Sequence, residues 1–413
     1  MPELKKNNTP VRATARSGQG KKKNPFRVAF FTSHPTQYHS PFFRCLAREP
    51  GIDLTVLYFR DFGIGKKSWD PGFGQAISWD IPLLEGYRHR FLRNLSPRPS
   101  SGMLGQFNPG LFPYLRRERP DAVIVHGWMS ASCWLAVASA RVLRIPVILK
   151  GEADLLRRRG RIKQILRRGP MRFLAFSAAA GLCSCSANRD FFLAAGFPRH
   201  RLFPFPCAVD NDFFREKALE EENSPALRES LGLAPDTILV VSVGKLIPRK
   251  RPLDLVRALL EGGEGTALIL VGDGELRPEI ENLPGIAGRV FVTGFVNQGR
   301  LGRYYRAADV FALASEWDPS PKALNEAMNF GLPLLVSSGV GTTRDLVEPD
   351  RNGYVFPPGE VKTLAAHIRK LAGDRELRLR MGQRSQKIVE DWSYGAEVAG
   401  TLAAVRAAVE DKA

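Results

Sequence analysis

Apolar and polar positions alternate along the chain between two patterns. Short runs of aliphatic, β-branched and aromatic residues end in Gly, Ser, Phe or Glu, and stretches of helical periodicity separate them. In the first half the runs are RVAFFTS (27–33), DLTVLYF (53–59), DAVIVHG (121–127), PVILKGE (146–152) and GLCSCS (181–186). In the second half they are TILVVSVG (237–244), TALILVGDG (266–274), RVFVTGF (289–295), DVFALAS (309–315) and LPLLVSS (332–338). Runs that are apolar at successive positions, rather than at alternate ones, belong to strands buried on both faces, as in parallel sheets covered by helices. Two such sets predict an α/β fold of two doubly wound, Rossmann-like domains. Ligands of such sheets bind outside the carboxyl ends of the strands, so two facing carboxyl edges would place a site in the cleft between the domains. The segment 209–232 is predicted to run from the crossover into the second domain, and no internal repeat or long low-complexity tract interrupts the pattern.

A chain of 413 residues is long enough for two domains with separate cores. Its 44% hydrophobic and 25% charged residues are an ordinary globular composition. The five cysteines (Cys45, Cys133, Cys183, Cys185 and Cys207) are odd in number and form no C-x-x-C pair, which points to a reducing cytosol and away from a disulfide framework or zinc ribbon. The most apolar stretches, 131–149 and 173–187, are broken by Arg141 and Arg144 or are too short and rich in small residues to cross a bilayer. Residues 1–24 lack the apolar core of a signal peptide and read as a disordered basic arm. A cytoplasmic protein is expected, with peripheral contact to the inner face of the cytoplasmic membrane left open.

The net charge of +18 is unevenly placed: residues 1–207 carry +22 and residues 208–413 carry −4. The run 155–172 holds eight basic residues and no acid, interleaved with Leu155, Leu156, Ile162, Ile165 and Leu166. The asymmetry points to an anionic partner that meets the first half alone. An amphipathic helix lying on an anionic membrane fits it, and so does a plain solvated helix face. No specific nucleic acid is expected, because the run lacks aromatic residues for base stacking and no recognition module is visible.

Two blocks carry candidate chemistry. In SVGKLIPRKRPLDLVRALL (242–260) a strand ends at Gly244, a loop presents Lys245, Arg249 and Lys250, and a helix follows Pro252. Glycine at a strand end lets backbone approach a ligand, and the cations would neutralise a diphosphate without a metal. Each charge-assisted hydrogen bond is worth roughly 1.5–3 kcal/mol. In the block 312–359, Asp318 and Glu326 flank the predicted start of a helix near Lys322, with Asp318 in the preceding loop and Glu326 about one turn inside. Free N–H groups of that first turn suit a phosphate, and Glu326 suits a ribose diol. Taken alone, a basic loop is more often merely solvated, and an isolated pair such as Asp318 and Glu326 is more often an N-cap and a solvent-facing helix residue.

Together the blocks resemble glycosyltransferase family 4 (group 1), of the GT-B fold and bacterial surface-polysaccharide type. VGKLIPRKRP, VGDGELRPEIE (271–281), the stretch 292–315, SEWDPSPKALNEAM, GLPLLVSSGVG (331–341) and NGYVFPPG (352–359) each match a family segment in order. The resemblance implies an acceptor-binding domain over 25–207, a nucleotide-sugar-binding domain over 208–390, and a C-terminal helix over 391–413 for which packing back towards the first domain is one option. It implies a retaining transfer from a nucleotide-diphosphate sugar to a saccharide or lipid-linked acceptor in cell-surface polysaccharide or lipopolysaccharide assembly, with no cofactor and no metal. Gly244, Lys245, Arg249, Lys250, Lys322 and Ala323 would hold the diphosphate, Glu326 the ribose, and Asp318 and His126 the transferred sugar. His34, Gln37, Tyr38 and Glu152 fall on the acceptor side. Asp318 stands where the family usually has Glu, and Pro321-Lys322-Ala323 replaces its Gly-Leu-Val stretch, so the donor sugar is the open question. Asp210-Asn211-Asp212 mimics a metal-binding Asp-x-Asp but lies far from the diphosphate loop and is not read as a metal site. Two rival classes remain: a sugar-nucleotide-modifying enzyme (epimerase or phosphorylase) on the same architecture, and a non-catalytic nucleic-acid or assembly scaffold.

Overall fold

The computed structural model describes residues 24–64, 68–70, 72–100, 102–157, 160–220 and 224–410, without the side chains of 68, 161–167, 220, 224 and 225. The basic arm expected over 1–24 lies outside the described residues except at its last position, as do the side chains in the middle of the 155–172 run.

The first half contributes β1 (Phe26–Thr32), β2 (Ile52–Tyr58), β3 (Ser68–Asp70), β4 (Gln75–Ile77), β5 (Arg88–Phe91), β6 (Ala122–His126), β7 (Val147–Gly151), β8 (Ala180–Cys183) and β9 (Leu202–Pro204). Seven of these make one parallel sheet in the order β5-β2-β1-β6-β7-β8-β9, while β3 and β4 form a separate antiparallel hairpin. The second half contributes β10 (Ile238–Val243), β11 (Thr266–Val271), β12 (Val290–Gly294), β13 (Val310–Leu313), β14 (Leu334–Ser337) and β15 (Gly353–Phe356), paired in parallel in the order β12-β11-β10-β13-β14-β15. The molecule is thus an α/β protein of two Rossmann-like units.

Both sheets bury both faces. Residues Val28–Phe31 and Val123–Val125 are buried, and the side chains of the first sheet feed two apolar layers, one with Phe31, Leu57 and Val125, the other with Phe30, Val56 and Ile124. The second sheet repeats this, with Val241, Ile269 and Phe311 on one side and Val240, Leu268 and Ala312 on the other. Each side chain so buried contributes about 1.5–3 kcal/mol, which is why these runs announce themselves in the sequence. The edge strands β5 and β9 were not legible there. Arg88-His89-Arg90-Phe91 is largely exposed and joins the sheet by backbone pairing with β2, an Arg88–Asp53 ion pair and the Phe91 ring stacked on Tyr58 at 5.3 Å.

In each sheet the strand order reverses direction beside the first strand, between β1 and β6 and between β10 and β13. Loops at such a switch point diverge and leave a crevice. The helix Tyr394–Glu410 packs Val398, Ala404, Val405 and Ala408 against Phe30, Ile148 and Leu182 of the first sheet. Its Gly400 lies so close to β9 that a Cβ there would stand 1.7 Å from the Pro204 carbonyl oxygen. All five cysteines are free thiols. No helix among the described residues is long and apolar enough to cross a membrane.

Candidate active site

The loops after β1 and β10 and the helix Lys322–Asn329 enclose a cavity of about 290 Å³ between the two domains. Gly244, Lys245, Arg249, Lys250, Lys322, Ala323 and Glu326 line it from the second domain, and Gln37, Tyr38, Phe73 and Trp79 from the first. Gly244 has φ +151° and passes beside Gly272, where a Cβ would fall 1.9 Å from the Gly244 carbonyl oxygen. Only glycine allows this crossing, which turns the loop after β10 towards the cleft.

Two cations of that loop already have anionic partners. Lys245 Nζ lies 2.7 Å from Asp70 Oδ1, on the β3–β4 hairpin, and 4.7 Å from the centre of the Phe73 ring. Lys250 pairs with Asp318. Arg249 instead donates to the Trp317 carbonyl at 3.3 Å, with its guanidinium 5.7 Å from the indole, while its own carbonyl accepts from Glu316 N–H. The two sequence blocks are therefore joined through backbone as well as charge. Glu326 is buried and accepts from Tyr38 Oη at 2.8 Å and from Tyr305 Oη at 2.6 Å. Burial raises its carboxyl above the usual range, opposed by these two hydrogen bonds and by Lys322.

A second group lies behind this cavity on the first domain. His126 Nδ1 is 3.2 Å from Thr32 Oγ1, and its Nε2 is 3.2 Å from Lys150 Nζ. Lys150, only 1% exposed, also reaches Glu152 Oε1 at 3.4 Å. The His39 ring meets His126 edge-on at 4.8 Å. Burial, then the Lys150 charge, lowers His126 to about 3, so the imidazole is neutral. Burial would raise Glu152, but Lys150 and Lys322 overcome it and hold the carboxylate at about 2. Lys322 links the groups: burial opposes its charge, yet Cys207, Glu152 and Glu397 raise its pKa, so its ammonium is drawn to the first-domain wall.

Of the expected acceptor-side residues, Gln37 and Tyr38 line the cavity and Glu152 belongs to the group behind it. His34 does not line the cavity but neighbours both groups: its Nδ1 lies 2.8 Å from Ser33 Oγ and its ring packs against Phe62, burial and Arg60 lower it to about 4, and its charge acts on His126 and His39. His39, His126 and Glu152 place one donor atom each within 4.8 Å of one another, a set that could hold a metal, but the Lys150 ammonium stands among them and competes for the same lone pairs. Asp210 accepts from Phe213 N–H at 3.1 Å and starts the helix Asn211–Glu220.

Sequence reasoning missed Lys150, His39, Tyr305, Asp70 and Glu397. Lys150 had a signal: a lysine inside an otherwise apolar strand is almost never fully buried unless it is paired. Asp70 had none, since its partner is 175 residues away.

Against known families, residues 223–388 match the model for glycosyl transferases group 1, and residues 85–208 match the glycosyl transferase 4-like domain. The sulfoquinovosyl transferase SQD2 of Arabidopsis thaliana is 26% identical over 305 residues, covering 70% of this chain and 57% of that protein. The UDP-Gal:alpha-D-GlcNAc-diphosphoundecaprenol alpha-1,3-galactosyltransferase of Escherichia coli is 24% identical over 297 residues, 68% of this chain and 74% of that one. The chain thus spans little more than half the length of the first of these relatives. The crystal structure of Anabaena Alr3699/HepE with UDP and glucose superposes with a TM-score of 0.67 at 19% identity, covering 92% of this chain and 99% of that one. One model falls on each domain, in chain order and over a shared GT-B architecture, and the chain belongs to the group 1 glycosyltransferases.

Proposed function

We propose that the protein transfers a sugar, with retention, from a nucleotide-diphosphate sugar to a saccharide or lipid-linked acceptor in the assembly of cell-surface polysaccharide or lipopolysaccharide. The observation that carries this reading is that Gly244, Lys245, Lys250 and Glu326 share one interdomain cavity. In glycosyl transfer the diphosphate leaves as negative charge, and its stabilisation is electrostatic work best done by preorganised cations away from bulk water. Lys245, Lys250 and the first-turn N–H groups of the helix Lys322–Asn329 supply positive potential on one wall. Glu326, steadied by Tyr305, takes the ribose once Tyr38 yields its place. Neutral His126, held by Thr32 and Lys150, would offer a ring nitrogen to the transferred sugar once one of these partners gives up its bond, and Asp318 would offer the oxygen not taken by Lys250. In the retaining course the acceptor hydroxyl attacks on the face from which the diphosphate departs. Its oxygen bonds to the anomeric carbon as the carbon–phosphate oxygen bond breaks, and a phosphate oxygen takes the proton. No metal is required by this scheme.

The relatives named above act, by their names, on a sulfoquinovosyl group and on a diphosphoundecaprenol-linked acceptor, and the HepE structure holds UDP and glucose. Uridine nucleotides are therefore the first donors to try. The +22 charge of the first half suits an anionic membrane on the cytoplasmic side, where such acceptors present their saccharides.

A thermal-shift panel of nucleoside diphosphates tests the donor site, because a ligand bound only by the folded state raises its melting temperature by mass action. At least one diphosphate is expected to stabilise the protein by several degrees, Lys245→Ala or Lys250→Ala to remove that shift and transfer together, and a chelator to leave transfer unchanged. Near-normal turnover in either lysine variant would remove the assignment. Sugar-nucleotide turnover without acceptor would favour the epimerase or phosphorylase reading instead.

A further inference from the structure

Lys322 occupies an unfavourable place for a cation. It is the first residue of the helix Lys322–Asn329, where the helix dipole favours acids, and Pro321 before it provides no side-chain cap. It lines the interdomain cavity, and its ammonium reaches the first domain, 6.0 Å from the centre of the Tyr38 ring. There it bonds the Cys207 thiol, beside Glu152 and Glu397. Lys150 brings a second ammonium to the same place. It is 1% exposed, 3.4 Å from Glu152 Oε1, 3.2 Å from His126 Nε2 and 4.8 Å from the centre of the Phe205 ring. Two ammoniums, one from each domain, thus converge on Glu152, whose side chain remains 30% exposed and within a ligand's reach.

The charges of this group do not balance. Glu397 gives one oxygen to Ala208 N–H and has no partner for the other, and burial pushes its pKa up to about 8. Its carboxyl therefore carries little charge at neutral pH. Burial and then Lys150 keep His126 and His39 neutral. Asp318 is paired with Lys250, and Glu326 is occupied by the hydroxyls of Tyr38 and Tyr305. Among the described residues, one ionised carboxylate is left to answer two ammoniums. A cluster that served only to join the domains would be neutral, because an unpaired charge withdrawn from water is costly.

The surplus lies where the transferred sugar is to sit. A sugar spanning His126 and Asp318 has Lys150 beside it at one end, and at the other end the turn that leads in four residues to Lys322. We propose that the donor sugar is itself anionic, a hexuronate or a like acid, and that Lys322 and Lys150 hold its acidic group. Lys322 is then a specificity-determining residue. An anionic sugar completes the pairing that Glu152 leaves open, whereas a neutral hexose leaves an ammonium unanswered. The proposal rests on the glycosyl-transfer reading and names the class of sugar at that same site.

The test is calorimetric titration of the full chain, without acceptor, with UDP and GDP and with two matched pairs, UDP-glucose with UDP-glucuronate and GDP-mannose with GDP-mannuronate. In the pair whose diphosphate binds, the uronate is expected to bind at least about tenfold more tightly than the neutral sugar. Lys322→Leu, which keeps the bulk of the side chain and removes the charge, is expected to bring that ratio to within about twofold of one. Lys322→Arg is expected to keep it above about fivefold, which a loss of packing alone would not distinguish from the leucine variant. Ligand-free melting curves show whether each variant is folded, and Lys322→Gln replaces Lys322→Leu if the latter is not. Equal binding within a pair whose diphosphate binds, or a uronate preference that survives removal of the Lys322 charge, overturns the inference and leaves the donor reading intact. Absence of binding by UDP, GDP and all four sugars ends the donor reading, and this inference with it.

Discussion

Glu397 shows how far a single side chain departs from its free chemistry. It sits on the C-terminal helix, accepts from Ala208 N–H at 2.9 Å through Oε1, and leaves Oε2 without a partner. Burial raises its pKa to about 8, against the lowering effects of Lys322, the Ala208 amide and Lys150, with Glu152 adding to the rise. Between the ordinary carboxylate value and about 8 the folded protein holds a proton that the unfolded chain has released, so stability falls as the pH rises through that window and levels off above it. The slope for one proton is at most ~1.4 kcal/mol per pH unit. Glu397→Gln keeps the acceptor for Ala208 and removes the titration. Melting curves at pH 5, 6.5 and 8 should therefore fall less steeply in the variant, which should gain on the native protein most at pH 8. Parallel curves would remove Glu397 as the source. Lys150 belongs to the same scale: a buried ammonium becomes tolerable because His126 and Glu152 meet it, and breaking such a pair costs more than making it gains.

At the scale of elements, the β3–β4 hairpin is the piece that strand periodicity could not foresee. Its paired segments are three residues each, Ser68–Asp70 and Gln75–Ile77, too short to show alternation. Yet it carries Asp70 to Lys245 and Phe73 under the same ammonium, where Phe73 also meets Phe295 edge-on at 4.8 Å. A diphosphate arriving at Lys245 must displace the Asp70 carboxylate. The pair is partly exposed, which limits its worth to about 1 kcal/mol. Asp70→Asn should accordingly tighten nucleoside-diphosphate binding about two- to fivefold, measured by calorimetry. Weaker binding would mean that Asp70 serves the donor-bound state instead. The helix Lys322–Asn329, by contrast, was legible from sequence, because a proline before its first residue and an apolar stripe through Leu324, Ala327 and Met328 define its start and its buried face.

The whole molecule is a pair of domains held shut. Near the interdomain cavity, Tyr38 donates to Glu326 and Asn325 to the Cys207 carbonyl. Farther out, Asn297 donates to the Ser78 carbonyl, and Arg344 bonds Asp190 at 2.6 Å. Asp345 of the second domain accepts from Ser186 N–H and Oγ, and so caps the helix Ser186–Ala195 of the first, which has no side-chain cap of its own. A cap of this kind is worth roughly 0.5–2 kcal/mol. Asp345→Ala should loosen closure: small-angle scattering is expected to show a larger radius of gyration without nucleotide and a return towards the native value when a nucleoside diphosphate that stabilises the native protein is added. Unchanged scattering would show that the clasp lies elsewhere. The C-terminal helix, anchored on the first sheet although it follows the second domain, ties the two together covalently at a second point.

The chain by itself determined the two parallel sheets, the glycine-led basic loop after β10 and the acid-bearing helix start, because each depends on neighbours within a few residues: burial on both strand faces, a backbone turn open only to glycine, the periodicity of one helix. Tertiary structure alone decided which charges meet. Asp70 and Lys245, Tyr38 and Glu326, and Asp154 and Trp317 are separated by 163 to 288 residues. An ion pair or hydrogen bond acts over a few ångströms and leaves no periodic trace in the sequence, so these contacts exist only once the two domains have closed.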